Sequence, residues 1–541
     1  MTPIKKIVVV GAGTSGWLTA SAIQRNNPEL EVTVVHDSTL PTIGVGETLT
    51  FGMPRFMREV LGLEDDQWMA KCQATYKSGV KWANWNNKGS SNQSSFITDF
   101  LSREILDNHY IAYRPVIFRK SVPDLVNPNL LTTRLWYSMY RNGMLGNSVD
   151  DLQAALSEQY YFSLNNKSIR NLDGSWISDP FHGHTYHYNA EVVSNVVGEL
   201  VGRPCGVREI DSRVVDVVLE NESIKTLKLA NGVEITADLF IDCSGFKRLL
   251  MSRLPNKWLA ADEFYNNCAI VKQIQYDDVE HPQHQVSNST TFSAMESGWR
   301  FSVPLQKRSG NGYIFNKRIT PDVDQLVDEF NTALADNKEC RLIHWDPGHY
   351  QYAVVNNCLS LGLSLGFSDP FDANNLTVTT LLIETVAKLL GDPTTNNLAS
   401  VAQVINNSAE KFWGDVDMRV KSALRLSPKI DTEYYRIMAD AAKSENLLEK
   451  FMQHIEQCEQ REIDSKLHYT LSKYPAAAWS SWSYTTLAMR YGIELPTYEF
   501  DPDLAEVAKH YFATRMAKNK MLADRAPHVK DFYGTYFKSS V

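Results

Sequence analysis

The sequence predicts an α/β fold that begins with a Rossmann-like nucleotide-binding unit and ends in a largely helical region. Residues 4–10 are apolar and predict a buried strand, Ser15 to Arg25 have the pattern of a helix, and Glu31 to Val35 predict a second strand. A strand, a helix and a second strand in this order build parallel sheets. From about residue 400 onward the pattern is helical and rich in aromatic residues.

The middle of the chain supplies further pieces of the α/β module. Residues 185–245 contain short segments typical of strands, and residues 355–392 predict a strand, a loop and a helix. We therefore expect an α/β module assembled from separated segments, followed by a helical module for the substrate. The predicted division is residues 1–395, with inserted substrate-site segments around 60–185 and 250–345, and then residues 396–541.

Length and composition indicate an ordinary globular protein. The 541 residues are 43% hydrophobic and 22% charged, with a formal net charge of −9. Lys and Arg form no long runs, so we predict no nucleic-acid-binding surface. The chain has no apolar stretch of about 18 residues and no signal-peptide pattern, so no membrane association is expected. The seven cysteines lack the spacing of a metal site and fit a reducing cytoplasm.

A glycine-rich turn follows the first predicted strand. Residues 11–16 fit the pattern G-x-G-x-x-G, in which glycines permit a tight turn and the helix N-terminus attracts a pyrophosphate. A plain strand-to-helix turn is the alternative. An acidic residue about 20 positions later usually binds the ribose hydroxyls; here His36 stands at that position and Asp37 follows. The candidate dinucleotide contacts are Gly11, Gly13, Thr14, Ser15, Gly16, His36 and Asp37.

A second segment points to FAD as the dinucleotide. The stretch ADLFIDCSGF, residues 237–246, is similar to the second FAD motif of the flavoprotein monooxygenases with GR2 or PHBH-like folds. Its small residues let the backbone approach the cofactor. The resemblance adds Asp242 and Gly245 to the candidate FAD contacts. The alternative is a strand that ends in an ordinary glycine turn.

Five segments resemble the flavin-dependent tryptophan halogenases, and the resemblance as a whole extends over most of residues 1–395. They are GAGTSGW at 11–17, IGVGET at 43–48, TYKSGVKWANW at 75–85, GWRFSVPL at 298–305 and NCLSLGLSLGFSDPFDANNL at 357–376. The chain also resembles, more weakly, a marine viral branch of this family. The resemblance implies an enzyme that uses reduced FAD, oxygen and a halide ion to halogenate an electron-rich aromatic ring.

The same resemblance implies roles for individual residues. Lys77 corresponds to the catalytic lysine and Asp372 to the catalytic carboxylate. Asn374 and Asn375 correspond to the halide-binding backbone, while Trp299 belongs, with Phe301, to an element that keeps the substrate away from the flavin. The remaining implied flavin contacts are Gly44, Val45, Gly46, Glu47, Val207, Leu363 and Leu376.

The chain departs from the family pattern at several of these positions. Phe301 replaces the second tryptophan of the W-x-W-x-I-P element, and Val303 replaces its isoleucine. Where the family has Pro-Leu-Glu-Ser-Thr-Gly, Asp372 stands in place of the glutamate and Ala373 in place of the serine. Beyond residue 400 the family's tryptophan-gripping residues are not recognisable, so the resemblance assigns neither the aromatic substrate nor the halide.

The expected chemistry explains these residue types. Hypohalous acid is mobile and indiscriminate, so an enzyme must hold it beside one carbon atom. A lysine ammonium can donate a hydrogen bond to it, and a neutral lysine can form a haloamine; burial makes either role accessible by lowering the lysine pKa. A neighbouring carboxylate can orient the oxidant or stabilise the cationic arenium intermediate.

Each residue also has a purely structural interpretation. Lys77 and Lys81 are four positions apart in one predicted strand and share a face, so periodicity does not choose between them, and both could be solvated. Asp372 follows a proline in a polar loop, where an aspartate commonly caps a turn. Trp299 could be a core residue, and Asn374 with Asn375 an ordinary turn.

Two other functions are compatible with the fold. One is an FAD-dependent aromatic hydroxylase, or another flavoprotein oxidoreductase, that uses NAD(P)H directly. The other is a flavin-binding scaffold without catalytic activity. Only one glycine-rich strand-turn-helix pattern occurs, so we expect reduced FAD to come from a separate flavin reductase. The sequence does not determine the oligomeric state, and a homo-oligomer is compatible with it.

Overall fold

The structure is a computed structural model, and its chain forms two compact units. The first unit combines Met1–Ala74, Tyr188–Lys272 and Glu339–Asp417; the second combines Thr75–His187, Gln273–Lys338 and Met418–Val541. The predicted boundary between residues 395 and 396 falls within the first unit. The residues that the structure describes are 2–40, 47–48, 52–85, 96–99, 132–143, 146, 148–178, 183–276, 285–320, 322–427, 431–467, 478–497 and 502–536.

The described residues form the following elements in chain order. The strands are β1 Lys6–Val10, β2 Glu31–His36, β3 Glu47–Thr48, β4 Thr75–Lys77, β5 Gly79–Ala83, β6 Phe96–Asp99, β7 Thr185–Tyr188, β8 Arg208–Asp211, β9 Val214–Glu220, β10 Ser223–Leu229, β11 Glu234–Ile235, β12 Leu239–Asp242, β13 Trp258–Ala260, β14 Cys268–Gln275, β15 Ser289–Met295, β16 Gly298–Pro304, β17 Arg308–Phe315, β18 Arg341–His344, β19 Gly348–Tyr350, β20 Val354–Val355, β21 Cys358–Ser360 and β22 Gly366–Phe367. The α-helices are α1 Thr14–Asn26, α2 Met53–Arg55, α3 Asp65–Trp68, α4 Thr132–Arg141, α5 Val149–Leu156, α6 Gln159–Leu164, α7 Ala190–Val197, α8 Val323–Leu334, α9 Asn374–Gly391, α10 Leu398–Lys421, α11 Glu433–Ser444, α12 Leu447–Leu467, α13 Ser481–Tyr491, α14 Pro502–Arg525 and α15 Val529–Thr535.

A parallel sheet is the core of the first unit. Its strand order is β20-β21-β12-β1-β2-β8, and the strands from β21 to β8 are parallel to their neighbours. The central strand β1 is buried along Ile7–Val10, which explains its continuous apolar sequence. Parallel strands bring their carboxyl ends to one edge, and ligands of such sheets bind outside that edge.

Helix α1 packs against α7 and α9 of the same unit. Its Trp17 is fully buried against a π-helical segment at Gly198–Gly202. A Cβ atom added to Gly198 or to Gly202 would lie 2.8 Å from the indole ring of Trp17. The two glycines are therefore what allows so large a side chain to sit directly behind the glycine-rich turn.

A second sheet organises the second unit. Within this unit its strand order is β17-β16-β15-β5-β6, with β15 antiparallel to β16 and parallel to β5. Side chains alternate between its two faces, as in any strand. We call one the aromatic face and the other the polar face. The aromatic face carries Trp82, Phe292, Trp299 and Phe301, and the polar face carries Lys81, Thr291, Ser293, Arg300, Ser302 and Asn311.

The predicted α/β class is confirmed, as are the first strand-helix-strand unit and the helical region after residue 400. Residues 185–245 contain the predicted short strands, with the helix α7 among them. One local expectation was wrong. Lys77 and Lys81 do not share one strand, because β4 ends at Lys77 and β5 begins at Gly79 in a different sheet. Among the described residues, no helix combines the length and apolar composition needed to cross a bilayer.

Candidate active site

The glycine-rich turn lies at the carboxyl end of β1, where the first turn of α1 begins. Gly11 has φ +109°, and a Cβ there would lie 2.3 Å from the carbonyl oxygen of Cys243. A Cβ on Gly16 would lie 1.8 Å from the Gly11 carbonyl oxygen. At Gly13, by contrast, a Cβ would meet no described atom within 4 Å. Gly11 and Gly16 are thus required by the packing of the turn itself, while Gly13 leaves open space at the N-terminus of a helix, which fits a pyrophosphate.

Two further turns come to the same edge of the sheet. Asp242 ends β12, and its buried carboxylate accepts hydrogen bonds from the Ser244 and Leu250 main-chain N–H groups at 3.0 and 2.8 Å, and also from Ser244 Oγ and the N–H of Met251. Gly245 has φ +70° with no described atom within 4 Å of an added Cβ. Asp242 therefore holds the turn, and Gly245 offers the open surface.

The turn after β21 completes this cradle. Gly362 has φ +67°, and a Cβ there would lie 2.2 Å from Ser15 Oγ. Ser364 Oγ donates a hydrogen bond to the Gly245 carbonyl at 3.2 Å. Leu363 lies between them and is half-buried. The three turns after β1, β12 and β21 are thus in mutual contact, and their open glycines fit the backbone approach that FAD needs.

The predicted ribose-binding position follows β2. Nε2 of His36 lies 2.9 Å from a Glu209 carboxylate oxygen, and Arg203 donates to the other at 2.8 Å. The Asp37 carboxylate accepts hydrogen bonds from the main chain and the hydroxyl of Thr39, at 3.1 and 2.5 Å, which lower its pKa. Asp37 is therefore an ionised acid at the carboxyl end of β2, where the ribose-binding residue is expected. It also stabilises its own turn.

The structure describes only some of the other predicted cofactor contacts. Val207 is buried just before β8, and Leu376 is half-buried in the first turn of α9. Glu47 belongs to the short strand β3. Gly44, Val45 and Gly46 lie outside the described residues.

Lys77 is the most buried lysine candidate in the second unit, with a relative exposure of 1%. It ends β4, which pairs antiparallel with β7 so that Lys77 stands opposite Thr185. Lys81 is only half-buried, on the polar face. Sequence periodicity left these two lysines equivalent, whereas burial distinguishes them: the Lys77 side chain is held out of bulk water, and that of Lys81 is only partly so.

A buried histidine lies beside Lys77. The single hydroxyl proton of Thr75 is donated to the Pro304 carbonyl at 2.8 Å, so the contact between Thr75 Oγ1 and His187 Nδ1 at 2.8 Å requires Nδ1–H as donor. Nε2 of neutral His187 then accepts from the hydroxyl of Thr290 at 2.9 Å. Burial, together with the positive charge of Lys77, holds the His187 pKa well below 6.5. His187 is consequently a neutral imidazole in one tautomer.

Tyr76, the residue before Lys77, makes hydrogen bonds through both its main chain and its side chain. The main-chain N–H of Tyr76 donates to Tyr533 Oη at 2.6 Å, and Arg170 Nη1 donates to Tyr76 Oη at 3.0 Å. The Arg170 guanidinium lies between the rings of Trp176 and Tyr536, 5.0 and 4.8 Å from their centroids. Helix α15 near the C-terminus and the loop at 170–176 thus fix the strand that carries Lys77.

Trp299 is buried among aromatic rings on the aromatic face of the sheet. Its ring centroid lies 5.1 Å from Phe292, 6.1 Å from Phe301 and 6.4 Å from Trp85, with edge-on or tilted geometry. Trp82 extends the cluster to Phe292 at 5.4 Å. Trp299 is therefore a core residue of this face. This structural role is compatible with the predicted role in keeping the substrate away from the flavin.

Asp372 occupies a tight turn at the start of α9. Asp372 and Ala373 both have left-handed backbones, with φ 53° and 55°, and Asn374 returns to the right-handed helix with φ −50°. Such a left-to-right change turns successive N–H groups to one side, which makes an anion-binding concavity. The side chains of Asn374 and Asn375 donate to the carbonyls of Phe371 and Gly366, both at 2.7 Å, and so anchor the turn.

The structure thus groups the predicted residues by unit. The nucleotide turns and the Asp372 segment belong to the first unit, while Lys77, Trp299 and Phe301 belong to the second. Sequence reasoning missed Gly362, whose place in a run of apolar residues before a polar loop could have indicated a turn. It also missed His187 and Thr75, for which no local pattern exists.

The buried His187 should make the stability of the protein depend on pH. Below about pH 6.5 the unfolded chain binds a proton at this residue and the folded chain does not, so folding loses ~1.4 kcal/mol per pH unit until the folded pKa is reached. In His187→Gln we expect the slope of unfolding free energy against pH to fall by about 1 kcal/mol per pH unit between pH 6.5 and 5.5, because the unfolded imidazole is only about half protonated at pH 6.5. Urea unfolding measures it, and replacement of the exposed His510 by Gln is the control. Equal slopes in the parent and in His187→Gln would contradict the burial argument.

Comparison with known proteins identifies the class. The sequence profile of the family described as tryptophan halogenase matches residues 6–508. Tryptophan 7-halogenase RebH of Lentzea aerocolonigenes is 26% identical over 467 residues, covering 83% of this chain and 81% of its own. The crystal structure of a tryptophan halogenase from Shewanella frigidimarina NCIMB 400 matches with a TM-score of 0.77 at 20% identity, over 100% and 98% of the two chains. BrvH, a flavin-dependent halogenase from Brevundimonas sp. BAL3, matches at 0.74 and 23%, over 99% of each.

The three glycine turns and the buried lysine agree with the resemblance to the flavin-dependent halogenases. The chain belongs to the tryptophan halogenase family, because the family profile covers most of its length. It is therefore an FADH2-dependent halogenating enzyme with halide and O2 as co-reactants. The predicted family, enzyme class and cofactors are confirmed.

Proposed function

We propose that this enzyme halogenates a small, electron-rich aromatic compound with hypohalous acid that Lys77 delivers and Asp372 helps to direct. The observation that carries the proposal is the burial of Lys77, at 1% exposure, beside an imidazole that is held neutral. Lysine side chains are rarely buried to this extent, so Lys77 stands out among the described lysines as a candidate for a catalytic role. The relatives named above act on tryptophan or are described as halogenases, which supports an aromatic substrate here.

Gly13 and Gly245 present the open surfaces on which the pyrophosphate and the adjoining parts of FAD would lie. The helix dipole of α1 favours the pyrophosphate charge. With oxygen, bound reduced FAD supplies the two-electron oxidation of a halide ion to hypohalous acid. The turn at 372–375 would hold the halide through main-chain N–H groups, as its left-to-right backbone change favours.

The subsequent halogen transfer requires acid and base functions from the chain. The Lys77 ammonium donates a hydrogen bond to the oxygen of hypohalous acid, which weakens the halogen–oxygen bond. The aromatic carbon forms its bond to the halogen while the halogen–oxygen bond breaks, and the released hydroxide becomes water by taking a proton. The ring proton then leaves to a base, and the Asp372 carboxylate stabilises the cation until it does.

His187 helps to keep the charge on Lys77. A protonated imidazole beside the ammonium would repel it and would favour a neutral lysine. Because Thr75 and Thr290 hold His187 in one neutral tautomer, we propose that Lys77 remains a cationic hydrogen-bond donor over the working pH range.

A substrate panel tests the proposed function. The purified enzyme is supplied with FAD, NADH, a separate flavin reductase, several indoles and phenols, and chloride, bromide or iodide one at a time. We expect a product that has lost hydrogen and gained one halogen by mass spectrometry, and only when a halide and the reductase are both present. We also expect no NADH oxidation above background by the enzyme alone, since the chain has a single glycine-rich dinucleotide motif.

Other results of the same panel would identify a different function. Oxygenated products that form without halide would indicate an aromatic hydroxylase. Rapid NADH consumption by the enzyme alone would show that no partner reductase is needed. We propose that the reductase and this enzyme work together in the cytoplasm, with reduced FAD passing between them by diffusion or transient contact.

A further inference from the structure

Two positively charged side chains lie on the polar face of the second-unit sheet. Arg300 in β16 is 9% exposed, and Lys81 in β5 is half-buried. The strand register places both on the face opposite Trp82 and Trp299, because Lys81 aligns with Thr291, Thr291 with Ser302, and Ser302 is two residues from Arg300. This face is separate from the aromatic one.

Within the part of the chain that the structure describes, neither cation has an ion pair or a hydrogen bond. Arg300 Nε is fully buried without a hydrogen-bond partner. Tyr313, opposite Arg300 in β17, donates its hydroxyl to Glu329 at 2.7 Å, but no described ion pair joins Glu329 to Arg300. Burial alone lowers the pKa of Arg300, to about 10, and burial alone lowers that of Lys81, so no described carboxylate offsets either charge.

A buried, unpaired guanidinium is unfavourable. Removing an ionised group from water costs several kcal/mol unless an opposite charge or hydrogen-bond acceptors replace the water. Arg also remains charged when buried, so it cannot escape the penalty by losing its proton. An anion from solution would supply the missing partner.

The surroundings of Arg300 fit an oxyanion. Ser293 and Ser302 flank it on the same face and can donate hydroxyl hydrogen bonds. The planar fork of a guanidinium pairs best with two oxygens of one carboxylate or phosphate group, whereas a halide ion offers a single centre.

His528 lies within electrostatic range of three lysines, one of which is Lys81. Burial lowers the pKa of His528, and the positive charges of Lys167, Lys530 and Lys81 lower it further. The carboxylate of Asp531 raises it. Asp531 is exposed and does not affect the pKa of Lys81.

We propose that the polar face binds a small oxyanion, a free phosphate or the carboxylate of an organic molecule, through Arg300 with Lys81 as the second cation. This site is distinct from the halide turn at 372–375 and from the aromatic face. It goes beyond the halogenation proposed above and does not depend on it.

Calorimetric titration of the FAD-saturated enzyme tests the proposal, because bound FAD occupies the nucleotide turns where phosphate could also bind. Inorganic phosphate, benzoate and chloride are titrated separately into the parent, Arg300→Met, Arg300→Lys and Lys81→Met at constant ionic strength. We expect phosphate or benzoate to bind the parent at least tenfold more tightly than Arg300→Met, with Arg300→Lys and Lys81→Met in between. Arg436→Met, which removes an exposed arginine paired with Asp431 at 3.2 Å, should bind as the parent does.

Thermal unfolding provides a second measurement. Without an oxyanion, Arg300→Met should melt at or above the parent temperature, since it removes an uncompensated charge. Added phosphate or benzoate should raise the melting temperature of the parent and leave that of Arg300→Met unchanged. Equal binding by the parent and Arg300→Met, chloride binding as tight as that of the oxyanions, or an Arg300→Met variant that melts several degrees below the parent without any anion would each overturn the proposal.

Discussion

Lys77→Ala should abolish halogenated product while the enzyme still binds FAD and still lets oxygen oxidise reduced FAD. The lysine is buried in the second unit, whereas the nucleotide turns belong to the first, so its removal leaves the flavin cradle intact. We expect the yield of halogenated product to fall by roughly 10³-fold or more, the scale of a lost acid–base group. Product by mass spectrometry and flavin oxidation by absorbance are measured on the same samples.

The control for Lys77→Ala is Lys71→Ala. Lys71 is an exposed lysine that pairs with Glu199 at 3.0 Å, and its loss should leave halogenation unchanged. Asp372→Asn separates two roles of the carboxylate. If Asp372 only positions the oxidant, one lost hydrogen bond to a charged group lowers the rate about 10- to 150-fold; if its charge stabilises the arenium, the loss matches that of Lys77→Ala. A Lys77→Ala enzyme that halogenates near the parent rate would exclude the proposed mechanism.

Gly13→Val should abolish FAD binding and leave the chain folded. A Cβ at Gly13 meets no described atom within 4 Å, so the isopropyl group points into the space where FAD would lie. We expect FAD affinity to fall on the order of 100-fold or more, ~2.8 kcal/mol, measured by quenching of flavin fluorescence. Circular dichroism should be unchanged.

Two other glycine variants serve as controls for Gly13→Val. Gly414→Val makes the same change at an exposed glycine of α10 that also has no described atom near its Cβ position, and it should bind FAD normally. Gly11→Ala should destabilise the fold itself, because φ is +109° and the carbonyl oxygen of Cys243 lies 2.3 Å from the added atom. Unchanged FAD affinity in Gly13→Val would refute the assignment of this turn.

Local patterns were enough to predict the nucleotide unit. Gly11, Gly13 and Gly16 lie within six residues, and β1, α1 and β2 follow from apolar runs that need no distant partner. The same patterns did not distinguish the roles of these glycines. The crowding at Gly11 comes from Cys243, more than 200 positions away, and no single-sequence period carries that information.

The surroundings of Lys77 were much harder to predict. Ser78 interrupts what looks like one strand, so Lys77 and Lys81 enter different sheets. His187 reaches Lys77 only through the pairing of β4 with β7, between segments more than 100 residues apart. The face on which Arg300 lies could have been predicted from the sequence. A residue between two aromatic positions of a strand must point away from both.

The two faces of the second-unit sheet also affect how the chain can fold. Side chains alternate with a period of two, so a slip of β16 by one residue would bring Arg300 among the rings of Trp82 and Phe292 and would turn Trp299 toward Ser293 and Asn311. Such a misaligned sheet would bury a charge in an aromatic cluster and expose a tryptophan to hydroxyl groups. The alternation of Arg300 with Trp299 and Phe301 therefore favours the observed register of β16 over a register shifted by one residue.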